Sequence, residues 1–260
     1  MTERTHALSK VPAITLGFWI IKILATTLGE TGGDTVSMSW LDETTPNAGA
    51  SSVNGYLVGT ALFGVALIAL VWAQISARRF NRWLYWATIV ASTTCGTTLA
   101  DFCTRSLGIG YPGGSLLLLA CVLGSLFGWY RTLGTIDVNT IVTPKAEAFY
   151  WLTITFSQTL GTALGDWVAD AGFGYGGAAL AVLAVLYSAT SISRVALFWA
   201  AFILTRPLGA TVGDFLDKPV AKGGLELSRP LATAALAVAI IALILLLPQR
   251  PGSHPVAEKA

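Results

Sequence analysis

The segment FWAAFILTRPLGATVGD, Phe198–Asp214, occurs in four versions along the chain. The others are Phe18–Asp34 (FWIIKILATTLGETGGD), Tyr85–Asp101 (YWATIVASTTCGTTLAD) and Tyr150–Asp166 (YWLTITFSQTLGTALGD). With Trp19, Trp86, Trp151 and Trp199 in register, each version has glycine ten residues later: Gly29, Gly96, Gly161 and Gly209. Fourteen residues on stands a small residue (Gly33, Ala100, Gly165, Gly213), and fifteen on an aspartate (Asp34, Asp101, Asp166, Asp214). An aromatic residue precedes every tryptophan. Four such coincidences in one register define an internal repeat.

The surroundings of the segments set the class. Of 260 residues, 54% are hydrophobic and only 12% charged, about half the charged fraction of a soluble domain. The composition indicates an integral membrane protein. Stretches near 12–30, 54–76, 83–102, 115–131, 147–167, 177–193, 195–213 and 229–248 are each close to the roughly 20 residues a transmembrane helix needs. The motif occupies the odd-numbered helices, and the even-numbered ones are plain apolar segments. This predicts a single all-α membrane domain over 1–260. Its eight transmembrane helices form four two-helix repeats (12–76, 83–131, 147–193, 195–248), followed by a polar, disordered tail at 249–260. The N-terminal stretch lacks a small-residue cleavage site and reads as a retained first helix.

Lys and Arg placement sets the orientation. Arg4, Lys10, Arg78, Arg79, Arg82, Arg131, Lys145, Arg194, Arg250 and Lys259 share the side of the N-terminus, against Arg105, Lys218, Lys222 and Arg229 opposite. Both termini are expected in the cytoplasm of a bacterial inner membrane. The motif helices then all run outward, so the repeats are parallel about a pseudo-symmetry axis along the membrane normal. The aspartates and most other acidic residues fall at or beyond the outer helix ends, giving an electronegative mouth that concentrates cations.

On a helix of 100° per residue, the Trp, Asp, +7 and +11 positions share one broad face. That face carries Thr26, Gln158 and Arg206 at +7, and Glu30 at +11. The Gly-xxx-small pairs permit close helix approach; alternatively, glycine-rich ends unwind to present carbonyls to an ion. Pro207 is expected to kink its helix. Ionisable groups within a membrane are functional candidates. The candidate substrate or ion site therefore comprises Asp34, Asp101, Asp166, Asp214, Glu30, Thr26, Gln158 and the four tryptophans, with Asp166 and Asp214 as the candidate metal pair. Lys22 and Arg206 are candidate charge-pairing groups for Glu30 or the aspartates, as internal counter-charges or as groups that swap partners during transport. The Gly108–Tyr111 and Gly172–Gly176 runs read as tight turns, since the threefold absence of a matching Gly-Tyr-Gly argues against a potassium filter.

The four Trp–Gly–Asp copies resemble a bacterial family of multi-pass membrane proteins with four tandem two-helix repeats, a characteristic tryptophan and no assigned function. The resemblance covers about residues 12–248 and implies the eight-helix architecture. It implies no substrate. Lys22 and Glu30 in the first copy, and Arg206-Pro207 in the fourth, make the four sites inequivalent.

The expected function is a small gradient-driven transporter moving a cation along a carboxylate-lined path between the repeats. No nucleotide-binding Gly-xxxx-Gly-Lys-Ser/Thr motif is present to use ATP. Oxygen ligands favour a hard metal ion or protons over soft metals, and tryptophan with carboxylate would suit an organic cation. The cation would be substrate, with no other cofactor expected. The expected partners are the lipid bilayer and the cation, not nucleic acid; an oligomer is compatible with the sequence. The alternatives are a cation channel or a structural or sensory membrane protein. An enzyme is not expected, because neither a nucleophile–base pair nor a metal cluster is visible. The cysteines, Cys95, Cys103 and Cys121, read as packing residues.

Overall fold

The computed structural model describes residues 8–41, 43, 54–138, 141, 143–170, 193–217, 219–220 and 223–253. Among these, seven long helices occur: α1 (Leu16–Asp34), α2 (Gly55–Ser76), α3 (Arg82–Asp101), α4 (Gly110–Leu133), α5 (Pro144–Asp170), α6 (Arg194–Asp217) and α7 (Arg229–Leu246). The helix expected at 177–193 lies outside the described residues, as does the Gly172–Gly176 turn.

Side-chain caps start several of these helices. Thr15 accepts from Phe18 N before α1, Asn54 from Leu57 N before α2, and Asn81 from Trp83 N and Leu84 N before α3, each satisfying donors that lack an intrahelical partner. Positive φ at Gly108 (71°) and Gly110 (64°) makes the tight turn expected before α4.

The motif helices run further than the apolar pattern indicates. After Asp34 and Asp101 the chain continues as π-helix, over Thr35–Trp40 and Phe102–Ser106. Asp166 and Asp214 lie inside α5 and α6. Asp34 and Asp101 end their α-helices as expected, whereas Asp166 and Asp214 lie inside theirs, and of the two readings of the glycines it is helix packing, not unwinding, that the structure shows. The helices stay wound because their glycines serve helix contact. The α6 helix also runs through Pro207.

Helices α1, α3, α5 and α6 close into a ring, each packed on the next and α6 back on α1. The glycines make the seams. A methyl group on Gly29 would meet Thr93, on Gly96 Gln158 and Thr159, on Gly161 Arg206, and on Gly209 Thr26 and Thr27. Each +10 glycine therefore receives the +7 residue of the next repeat, and the fourth receives that of the first. The aromatic pairs follow the same order. Ring centroids lie 5.5 Å apart for Phe18–Trp86, 5.6 Å for Tyr85–Trp151, 6.5 Å for Tyr150–Trp199 and 5.9 Å for Phe198–Trp19.

Each plain helix within the described residues packs on the motif helix of the following repeat: α2 on α3, α4 on α5, and α7 on α1. Thr233 Oγ1 donates to Thr31 Oγ1 across the last of these contacts (2.9 Å). The plain helices turn Leu62, Val65, Ile68 and Trp72 (α2), Leu123 and Phe127 (α4), and Val238 and Leu245 (α7) outward. Helices α2, α4, α6 and α7 are long and apolar enough to cross a membrane. The molecule is a helical membrane protein, and among the described residues the helices are joined by one small sheet. In that sheet β1 (Leu8–Pro12) pairs antiparallel with β2 (Pro251–Ser253). The reading of everything after Pro248 as a disordered tail is thereby corrected at 251–253. Lys10 on β1 reinforces the strap through an ion pair with Glu147 (2.6 Å) and a bond to Ile75 O (3.0 Å).

Candidate functional site: the axis of the helix ring

The motif register stacks the ring interior in layers four residues, or about 6 Å, apart. The aromatic girdle closes one end. Across it the Tyr85 and Tyr150 hydroxyls share a hydrogen bond of 2.7 Å. The next layer holds Lys22, Ile89, Ile154 and Phe202, followed by Thr26, Thr93, Gln158 and Arg206, then by Glu30, Thr97, Thr162 and Ala210. All twelve residues are buried. The last layer is that of the aspartates.

Arg206 knots the middle. Its side chain is fully buried, yet all its nitrogens reach oxygens of the other three motif helices. Nη1 donates to Thr26 O (2.7 Å), Nη2 to Thr93 O (2.9 Å) and to Thr97 Oγ1, and Nε to Gln158 O (3.3 Å). Nη1 also lies 3.4 Å from Glu30 Oε2, and Thr97 Oγ1 donates to that same oxygen (3.2 Å). A planar fork with five donors suits this arrangement in a way a lysine would not. Proline at 207 adds to the fit. Lacking an N–H, it leaves Ile203 O outside the helix ladder, and that carbonyl faces Gly161. One layer away, Lys22 Nζ donates to Gln158 Oε1 (3.1 Å) and stands 4.1 Å from the centroid of the Phe202 ring.

The aspartate layer is an ion-pair network. Arg105 joins two repeats, with Nε 3.0 Å from Asp101 Oδ1 and Nη2 3.1 Å from Asp166 Oδ2. Arg229 lies 2.8 Å from Asp217 Oδ2 and 4.0 Å from Asp34 Oδ2. Asp34 Oδ1 is buried without a hydrogen-bond partner, and so is Thr93 Oγ1 deeper in the ring. The side chain of Asp214 lies outside the described atoms, so the Asp166–Asp214 metal pair finds no description here. Among the described residues, no group of three or more His, Cys, Asp or Glu side chains is placed to hold a metal ion.

The candidate residues thus fall into three groups. Asp34, Asp101 and Asp166 gather at one end. Glu30, Thr26, Gln158, Lys22 and Arg206 gather in the middle. The tryptophans sit at the far end, apart from the carboxylates, where Trp86 Nε1 donates to Gln249 Oε1 (3.0 Å) and Trp199 Nε1 to Ile136 O (3.2 Å). Sequence reasoning left Thr93, Thr97, Arg105 and Arg229 out of the site. The first two stand in the +7 and +11 register and were findable there. The two arginines come from a π-helical turn and a plain helix, where the repeat gives no signal.

A helical membrane protein built from four cyclically packed repeats around a polar axis is the class these features define. The chain belongs to the family described as Repeat of Unknown Function (DUF347), whose model matches residues 17–80, 84–135, 149–193 and 197–248. No curated protein and no solved structure matches.

Proposed function

We propose that the protein is a gradient-driven transporter of a small cation. In this reading it crosses a bacterial inner membrane eight times, with both termini in the cytoplasm and the aspartates outside. It performs no bond-making chemistry. The observation that carries the reading is the closed ring of four motif helices, with an unbroken column of polar and charged side chains from the aspartates to Lys22. Burying such a column within a membrane is expensive, and intramembrane ionisable groups mark ion paths.

The parts then have roles. The acidic end raises the local cation concentration. Asp34 Oδ1 and Thr93 Oγ1 are buried oxygens without protein donors, and both suit an ion shedding its water. Glu30 is the inner acceptor. In the empty protein Arg206 holds its charge in balance, and an arriving cation takes the place of the guanidinium beside Glu30 Oε2. The aromatic girdle and the β1–β2 strap close the opposite end, so access alternates. An open channel is disfavoured by Arg206, whose guanidinium already reaches the other three motif helices. Hard ions such as Mg²⁺, Mn²⁺ and Na⁺, protons, and small organic cations are the candidate substrates.

Equilibrium binding to the purified protein tests this, with Mg²⁺, Mn²⁺, Na⁺ and tetramethylammonium as probes. One of them should bind saturably to the wild type, and Glu30→Gln should weaken that binding at least tenfold. Unchanged affinity in Glu30→Gln would remove Glu30 from the path.

A further inference from the structure

In the three buried layers the charges do not pair one to one; the carboxylates of Asp34, Asp101 and Asp166 lie in the next layer, beside Arg105 and Arg229. The three buried layers hold two cations, Lys22 and Arg206, against one carboxylate, Glu30. Oε2 of Glu30 is taken by Arg206 and Thr97. The Arg206 donors are spent on Thr26 O, Thr93 O, Gln158 O and Thr97 Oγ1. Lys22 is left with one hydrogen bond, to Gln158 Oε1, and the face of Phe202. An ammonium carries three donors, so two remain.

Gln158 points the same way. Its Oε1 faces the ammonium, so the amide cannot be reversed without setting NH₂ against NH₃⁺. Its Nε2 is buried and has no hydrogen-bond partner. Lys22 and Gln158 are both fully buried. Two ammonium N–H groups and an amide NH₂ therefore stand near one another, with no acceptor among the described residues. Leaving such donors unmet costs several kcal/mol in a medium without water.

We propose that Lys22 Nζ and Gln158 Nε2 bind one small monovalent anion inside the ring. The Lys22 ammonium, which has no ion pair among the described residues, sets its valence. The other residues of that layer, Ile89, Ile154 and Phe202, are apolar and buried, so the anion would have to be small, and chloride is the probe. Bound there, the anion would pair with the Lys22 ammonium, one layer from Arg206. The site stands independently of cation transport, since it concerns only binding.

Purified protein is exchanged into chloride or gluconate at equal ionic strength and pH. The midpoint of thermal unfolding, Tm, and radiolabelled chloride binding are then measured. The wild type should gain Tm saturably with chloride and bind one chloride per chain. In Lys22→Met both effects should be lost. In Gln158→Glu a built-in carboxylate would take the anion's place, so Tm in gluconate should match or exceed the wild type's in chloride, with no further response to chloride. The Gln158→Glu result decides the matter if Lys22→Met does not fold. Equal wild-type Tm in both salts without bound chloride would overturn the proposal. So would an undiminished chloride response in Gln158→Glu.

Discussion

The ring seams are the part of the structure most exposed to a single atom. At Gly209 an added methyl carbon would stand 2.8 Å from Thr26 Cβ and 2.9 Å from Thr27 N. Carbon contacts settle near 3.5–4.0 Å, so α1 and α6 would have to part by roughly 0.6 Å or more. Thr27 N is backbone and cannot rotate aside. Overpacking of this kind costs about 1–3 kcal/mol. Alanine also brings back about 1 kcal/mol of helix propensity over glycine, so Gly209→Ala should lose about 0–2 kcal/mol. Gly124, in the interior of α4, provides the control, because nothing lies within 4 Å of the added carbon. Gly124→Ala should gain about 1 kcal/mol. The two variants should therefore differ by about 1–3 kcal/mol, read as opposite shifts of Tm in one detergent. Gly209→Leu should fall further, and Gly161→Leu with it, because Ile203 O is 3.0 Å from the added carbon at Gly161. If Gly209→Ala is stabilised as much as Gly124→Ala, α1 and α6 do not meet at this seam and the closed ring is wrong.

Tyr85→Phe should cost about 1–3 kcal/mol by stranding the Tyr150 hydroxyl. Combining it with Tyr150→Phe should cost less than the sum of the singles, and strict additivity in that cycle would show that the hydroxyls do not meet. A reporter fused after Ala260 should act as cytoplasmic and one inserted near Ala48 as extracytoplasmic; opposite labelling would invert the assigned orientation.

Much of this architecture was legible in the residues. The Trp–Gly–small–Asp register gave the repeat, the parallel motif helices and the shared polar face. What it could not give was the direction of each contact. That Gly29 receives Thr93, and that Phe198 reaches back to Trp19, depends on how the ring closes, which no single helix encodes. The +7 and +11 positions gave the middle of the site, because helical phase alone puts Thr26, Glu30, Gln158 and Arg206 on one stripe. The tryptophans share the stripe's face, but the spacing of fifteen residues already sets them some 22 Å from the aspartates, and the structure places them at the far end. The extended helix ends were illegible because Thr, Ser and Gly there are polar by composition, yet are buried against neighbours. The strap pairing Leu8–Pro12 with Pro251–Ser253 joins the two chain ends, and no local pattern announces it.

The most direct test of cation passage along the axis is flux into proteoliposomes holding the purified protein. Mg²⁺, Mn²⁺, Na⁺ and tetramethylammonium are each offered on the side of the aspartates. The wild type should carry one of them saturably and down its gradient. Asp166→Asn keeps the shape of the side chain but removes its charge; it should abolish that flux while the elution volume stays that of the wild type and Tm falls only by the loss of the Arg105 ion pair. Normal flux in a folded Asp166→Asn, or no flux of any of the four through the wild type, would contradict a carboxylate-guided cation path through the ring.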